Sequence, residues 1–557
     1  MGQVGQMGQM AEVAEAAEVL LAVLDYGMGN LRSVSKALEL AAREFPELKV
    51  VVTGDPVEAS RATGVVLPGV GAFGAAMANL ERSGLDRVVR EAIADGRPFL
   101  GICLGLQLLF DESAERFAED TLPRGLGILP GRVRRFPAGL KVPQIGWNQL
   151  SLRSHLQLHP QPHLHPQLQS QLEPRKPGNP LWRGVQQGAY TYFVHSYYVE
   201  PQDPEVIAAT SDYGIEFTAA VWRENLFALQ FHPEKSSQVG LQMLRNFAAA
   251  VVRAAGASDF FLPAIDLRDG RCVRLVQGDP GRETRYSDDP VTVAKELARQ
   301  GARRLHVVDL DGAFAGEPRQ LELVAAIRRA VPEVRVELGG GLRTLEQIEA
   351  AFAAGVKDVI VGSALLSNEE LVAEACRRHP GQVTAGVDVR DGRVAVSGWQ
   401  EESSVAAVEA VRRAAALGVR RFILTDISQD GMLSGPNFGL IRGIAEAVAQ
   451  DAADARPVTA VVGRPSPELE FVVSGGVRSA EDVRAAAALG LPVTGVIAGR
   501  ALYDRRLTVG EALAAARRGL ILRPEPARAG GEPVAGAAVA GEPVAGAEPA
   551  PQPEFRA

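Results

Sequence analysis

The chain has 557 residues, 46% hydrophobic and 23% charged, with a formal net charge of −8. That mild acidic balance argues against a nucleic-acid or membrane surface as the main partner, so anionic ligands have to be met by local glycine loops and helix N-termini. The three cysteines, Cys103, Cys272 and Cys376, form no C-x-x-C pair, which excludes a disulfide framework and points to a reducing cytoplasm.

No uncharged apolar run reaches the roughly 18 residues of a membrane span. The start, "MGQVGQMGQMAEVAEAAEVLLAVLDYG", lacks the basic region of a signal peptide. Gln6 stands where a myristoylation signal has Ser or Thr. Residues 1–19 read as a disordered extension. "VLLAVLDYGMGN" then reads as a buried strand entering a glycine turn, and "LRSVSKALELA" has helical spacing. Further strands are expected at "KVVVT", "GVVLPG", "RPFLGIC", "GAYTYFVHSYYV" and "LFALQFHPE". Together they predict an α/β domain over residues 20–254. Within it, residues 155–173, "HLQLHPQPHLHPQLQSQLE", are a low-complexity insertion. His155, His159, His163 and His165 have a spacing that suits a metal, but the prolines favour a solvated loop, and no metal is expected.

From "DFFLPAIDL" onward, strands alternate with Ala-rich helices. Eight such units over residues 259–523 predict a (β/α)₈ barrel. This half repeats internally: "AIDLRDGRCV" echoes "GVDVRDGRVA", "VVDLDGAFAG" echoes "LTDISQDGMLSG", "GGGLRTLEQ" echoes "SGGVRSAED", and "VIVGSALL" echoes "VIAGRALY". Four matches in one order predict two similar half-barrels. Residues 450–470 lengthen the connection between strands six and seven. Residues 524–557, with a duplicated GEPVAGA unit, are expected to be disordered.

Chemistry in the first half centres on "GICLGLQ". An apolar strand, G-x-C-x-G, then "LQLLFDESAE" as a helix is the layout of a nucleophile elbow: the turn presents Cys103, and the glycines remove Cβ clashes. A helix N-terminus would favour the thiolate. "QFHPEKS" supplies His232 to move the thiol proton and Glu234 to orient the imidazole. "LPGVGAFG" brings Gly69, Val70 and Gly71, whose backbone N–H groups, with that of Leu104, would form an oxyanion hole.

These residues, with "DYGMGN", "VPQIGWN" and "YFVHSYY", resemble the class I glutamine amidotransferases, and among them the glutaminase subunit of imidazole glycerol phosphate synthase, HisH. The resemblance implies a flavodoxin-like α/β domain that hydrolyses glutamine through a Cys103 thioester, with Gln107 helping to hold the substrate. It also implies a cyclase partner subunit, HisF, as ammonia acceptor. Gln144 departs from the family, which commonly has His there, near the subunit interface.

In the barrel, Asp266 ends strand one and Asp388 strand five, on opposite sides of the C-terminal mouth where barrel chemistry sits. Facing carboxylates make an acid/base pair when their surroundings separate their pKa values. Thr425 and Asp430, after strand six, are placed to orient a substrate. Two glycine sets, Gly340, Gly341 and Arg343 with Gly362 and Ser363, and Gly475 and Gly476 with Gly499 and Arg500, predict a ligand with a phosphate at each end.

This half resembles the phosphoribosylformimino-AICAR isomerases, HisA, through "PAIDLRDGRCVRLVQGD", "YSDDP", "HVVDLDGA", "VDVRDGRVAVSGW", "TDISQDGMLSGPN", "SGGVRS" and "GRALY". The resemblance implies an Amadori rearrangement with Asp266 as base and Asp388 as acid, and no cofactor. The alternatives are the cyclase barrel, which usually opens on Cys-Leu-Asp rather than "PAIDL", and an isomerase that also takes phosphoribosylanthranilate.

Overall fold

The computed structural model describes residues 18–115, 122–153, 178–276, 279–396, 401–454, 469–490 and 492–523. The extension to residue 17, the His-rich insertion, most of the lengthened connection after strand six and the tail lie outside these residues.

In the first half the strands are β1 (Val19–Leu24), β2 (Leu48–Thr53), β3 (Gly64–Gly69), β4 (Phe99–Cys103), β5 (Glu112–Ser113), β6 (Gly131–Arg135), β7 (Gln144–Gln149), β8 (Ser151–Leu152), β9 (Tyr190–His195), β10 (Tyr197–Pro201), β11 (Ile207–Asp212), β12 (Glu216–Arg223) and β13 (Leu226–Leu229). The order β2-β1-β3-β4-β13 is parallel, and β12, β10 and β6 extend it antiparallel. That is the flavodoxin-like order. Helices cover both faces, so β3, β4 and β13 are continuous apolar runs, buried throughout. Alternation sends Leu21 and Val23 to one core, Ala22 and Leu24 to the other. β7 and β9 form a separate two-stranded sheet.

The second half has β14 (Phe261–Arg268), β15 (Arg271–Val276), β16 (Asp279–Ser287), β17 (Arg304–Asp309), β18 (Arg335–Gly339), β19 (Asp358–Val361), β20 (Val383–Arg390), β21 (Arg393–Val396), β22 (Glu401–Ala406), β23 (Arg421–Asp426), β24 (Glu470–Ser474) and β25 (Val493–Ala498). Eight of them, β14-β17-β18-β19-β20-β23-β24-β25, are parallel, and β25 pairs back to β14 to close the barrel. The half-barrel repeat is visible in the backbone. Gly340 and Gly475 both have positive φ, +108° and +85°, where a Cβ would lie 2.1 Å from the Asp309 carbonyl oxygen and 2.9 Å from that of Asp426. Glycine is required twice, at the same place in each half.

Two expectations need correction. The helix after Cys103 is a single turn, Leu104–Gln107. The carbonyls of Leu108, Leu109 and Phe110 accept instead from the N–H groups of Leu126, Ile128 and Gly127, so the helix cannot propagate. In the barrel, β14 and β20 do not lead straight to helices. Each first continues into a hairpin, β15–β16 and β21–β22.

No long linker joins the halves. The helix Ser237–Ala255 passes through Gly256 and a short turn, Ala257–Phe260, into β14. The barrel's last helix, Val509–Leu522, packs on Ser237–Ala255 and places fully buried Ile521 in the amidotransferase core with Val251 and Ala254. Arg518 donates to the Ala94 carbonyl at 2.6 Å and pairs with Glu224 at 3.3 Å, and Arg517 donates to the Asp95 carbonyl at 2.9 Å. Arg183 returns hydrogen bonds to the carbonyls of Leu522 and Arg523. A Cβ at Gly96 would lie 2.4 Å from the Ala514 carbonyl oxygen, so backbone meets backbone here. The described residues up to Arg523 therefore pack as one compact unit.

Candidate active sites

Besides the helix Ser237–Ala255 and Arg183, the interface uses Ala94, Asp95, Gly96 and Glu224, just before β4 and β13. Cys103 and His232 fall at and just after their far ends, a strand length of about 15 Å away. Cys103 has φ +55°, a strained value for a side-chain-bearing residue and the mark of an elbow. The flanking glycines are obligatory: a Cβ at Gly105 would lie 1.9 Å from the Leu67 carbonyl oxygen, and one at Gly101 2.9 Å from that of Gly105.

His232 Nδ1 donates to Glu234 Oε1 at 2.8 Å, a direction set because the carboxylate only accepts. Both side chains are almost completely buried. The backbone holds the imidazole: His232 N donates to the Tyr192 carbonyl at 2.9 Å, and Ser236 Oγ donates to the His232 carbonyl at 2.7 Å. Burial alone would lower the His232 pKa. The nearby Cys103 sulfur and the hydrogen bond and charge of Glu234 outweigh it and raise the value to about 9. Only one helical turn follows Cys103, so little macrodipole acts on its thiol.

Gly69 pairs with Cys103 across β3 and β4 and lies against Leu104, bringing the loop of Val70 and Gly71 beside the nucleophile. Gln107 is buried behind it. Its amide donates to the Tyr197 carbonyl at 3.0 Å and to Gln230 Oε1 at 3.1 Å, and the Gln230 amide lies 3.8 Å from Cys103 Sγ. Gln230 opens the stretch "QFHPEKS", just after β13, but that motif assigns it no role of its own. Gln144 is fully buried opposite His195 on β9, and its amide donates to Asn148 Oδ1 at 2.9 Å.

At the C-terminal mouth of the barrel a cavity of about 250 Å³ is lined by Asp266, Asp388, Thr425 and Asp430 together with Gly340, Gly341, Arg343, Gly362 and Ser363. The second glycine set, Gly475, Gly476, Gly499 and Arg500, lines an adjoining recess that shares Asp430. All the residues singled out for this site thus gather at one mouth.

Sequence reading missed Arg274, on β15. It spans the site, donating to Asp266 Oδ2 at 2.8 Å and to Asp430 Oδ1 at 2.9 Å. Its only sequence signal is a place inside "VRLVQGD". Complete burial pushes the Asp430 carboxyl above its usual range; Arg274 opposes the rise, and the neighbouring Asp266 charge adds to it. One guanidinium thus faces two acids, Asp266 and Asp430.

Residues 22–251 match the family described as glutamine amidotransferase class-I, and residues 261–455 the family described as histidine biosynthesis protein. Over 237 residues the chain is 48% identical to the imidazole glycerol phosphate synthase subunit HisH of Moorella thermoacetica, covering 42% of this chain and 98% of that protein. Over 259 residues it is 46% identical to the 1-(5-phosphoribosyl)-5-((5-phosphoribosylamino)methylideneamino) imidazole-4-carboxamide isomerase of the same organism, covering 46% of this chain and 98% of that protein. The isomerase of Alkalilimnicola ehrlichii is 44% identical over 252 residues, 45% of this chain and 94% of that protein. The chain belongs to both families.

No helix among the described residues is long and apolar enough to cross a membrane. The raised His232 pKa predicts the pH dependence of the HisH half. The proton on His232 is retained below about pH 9 and lost as pH rises through that value. If His232 protonates the leaving ammonia, kcat/KM for glutamine is expected to fall above about pH 9. A profile measured from pH 6 to 10 with no basic limb would contradict this.

Proposed function

We propose that the chain is a two-site enzyme of histidine biosynthesis that hydrolyses glutamine in its HisH half and carries out the Amadori isomerisation of the phosphoribosylformimino substrate in its barrel, as two domains over residues 20–254 and 259–523. In the first, Cys103 attacks the substrate amide, His232 oriented by Glu234 takes the thiol proton and gives it to ammonia, and the Gly69–Gly71 loop with the Leu104 N–H stabilises the oxyanion. In the second, the paired glycine loops hold the two phosphates and Asp266 removes the C2 proton. The resemblance assigns the ring-opening acid to Asp388. The burial of Asp430 favours a second assignment, in which Asp430 delivers that proton and Asp388 holds the substrate. Asp430→Asn and Asp388→Asn, compared for kcat, distinguish the two.

A single observation carries the reading of how the sites relate. The interface grips the start of β4 and β13, opposite Cys103. On the barrel side it uses the end of the last helix, whose Arg523 donates to the carbonyl of Val493, the first residue of β25. Both active sites face away from the junction, so ammonia released at Cys103 is not aimed at the fused barrel. A separate cyclase subunit, HisF, is the proposed acceptor, and it would also take the isomerase product. The test is glutamine turnover by the full chain with and without purified cyclase and that product. Slow turnover alone and strong stimulation by the cyclase are expected. Equal turnover in both would refute the separate acceptor.

A further inference from the structure

Beneath the isomerase cavity the barrel interior is layered. Leu262, Ala264, Ile360, Ile423, Val472 and Ile497 form an apolar cluster, and Asp266 and its partners lie at the mouth. Deeper on one side is an ionic group centred on Glu337, which is 1% exposed and accepts from Arg421 at 2.5 Å and from Arg304 at 3.3 Å. His306 joins the ionic group to the cavity. Its Nδ1 donates to Glu337 Oε1 at 2.7 Å, and its side chain also lines the cavity. Glu337 is held ionised despite its burial by Arg421, His306 and Arg304, so it stays an acceptor and fixes one tautomer and one ring orientation. Nε2 is then the ring nitrogen available to a ligand.

The register sets where that nitrogen lies. β17 pairs with β14 so that His306 is opposite Ala264 and Val308 opposite Asp266. His306 is therefore on the strand next to the base, one inward-facing position deeper. The substrate carbon that loses its proton to Asp266 also carries the 2-hydroxyl, and the polar group beneath the base is His306.

We propose that His306 is a catalytic residue of the isomerisation, its Nε2 taking the 2-hydroxyl proton as the carbonyl forms, with Glu337 as its positioning residue. The proposal rests on the isomerase reading of the barrel. The step balances as follows. The acid gives its proton to the ring oxygen as C1–O breaks and the amine nitrogen forms C1=N. Asp266 then takes the C2 proton, and the C2–H pair becomes C1=C2 while the C=N pair returns to nitrogen. In the last step the O–H pair becomes C2=O, His306 accepts the hydroxyl proton, and C1 takes back the proton held on Asp266. The imidazolium, balanced by Glu337, returns its proton to the carboxylate that opened the ring, which resets the site.

The test compares His306→Gln, His306→Ala and Asp266→Asn in the full chain, with glutamine hydrolysis by each sample as the measure of folding. Isomerase kcat is expected to drop about 10²- to 10⁴-fold in His306→Gln with KM within about threefold. Added imidazole is expected to restore part of kcat in His306→Ala and none in Asp266→Asn. An unchanged kcat in His306→Gln, a change confined to KM, or no rescue in a folded His306→Ala would overturn the role. If Asp266→Asn keeps full isomerase activity, the isomerase reading of this cavity fails instead. Should neither His306 variant fold, the ¹⁵N-histidine-labelled wild-type chain is titrated with the aminoketose product: a shift of the His306 Nε2 resonance supports the contact, and an unmoved resonance overturns it.

Discussion

Cys103→Ala is expected to lower glutamine hydrolysis by at least about 10⁴-fold and to leave isomerisation within about twofold, and Asp266→Asn to do the reverse. The size follows from the chemistry. With the sulfur gone no thioester forms, and His232 and the oxyanion loop retain only the residual catalysis of a triad lacking its nucleophile. The selectivity follows from the fold. Cys103 ends β4 and Asp266 lies near the end of β14, on two separate sheets. Cys103→Ala keeps the Cβ, and with it the backbone strain at positive φ, and adds no volume, so stability is expected to hold. The assays are glutamate release and conversion of the formimino substrate on the same purified sample. Loss of both activities in a folded variant of either kind would refute two independent sites.

Ile521→Asp is expected to destabilise the whole chain by about 3–5 kcal/mol, a fall in melting temperature of the order of 10 °C. Ile521 belongs to the barrel by sequence and to the amidotransferase core by packing. The substitution removes a fully buried apolar side chain and sets a carboxylate among the apolar side chains of that core. The damage is expected to reach glutamine hydrolysis as well as isomerisation, although Ile521 lies far from both sites. Arg518→Ala serves as the milder comparison, because its ion pair with Glu224 is partly exposed and such pairs contribute little. A calorimetric trace that separates into two transitions in Ile521→Asp, with one in the wild type, would show that this helix couples the halves. An unchanged melting temperature would show that the shared core contributes nothing.

The elbow, the triad residues and the glycine loops were legible because each carries a short motif, G-x-C-x-G, H-P-E and a glycine set repeated in both half-barrels. Gly101 and Gly105 are fixed by carbonyl oxygens a few ångströms away, and Gly340 and Gly475 by a positive φ repeated in both half-barrels. The eight strands were legible because their apolar runs are short, periodic and separated by turns. The helix after Cys103 was overread for the complementary reason. "LQLLFDESAE" has helical spacing, but its carbonyls are taken by residues near 126 that no local pattern announces.

Short motifs and hydrophobic periods thus made the two folds legible and singled out Cys103, His232, Glu234, Asp266 and Asp388, since each is a pattern within a few neighbouring residues. Barrel closure and domain docking settled the rest. Arg274 meets Asp430 across 156 residues, His306 meets Glu337 across 31, and Arg183 meets Leu522 across 339. A hydrogen bond or buried contact of that kind exists only once the chain has folded, so its partners carry no mark in the sequence around them.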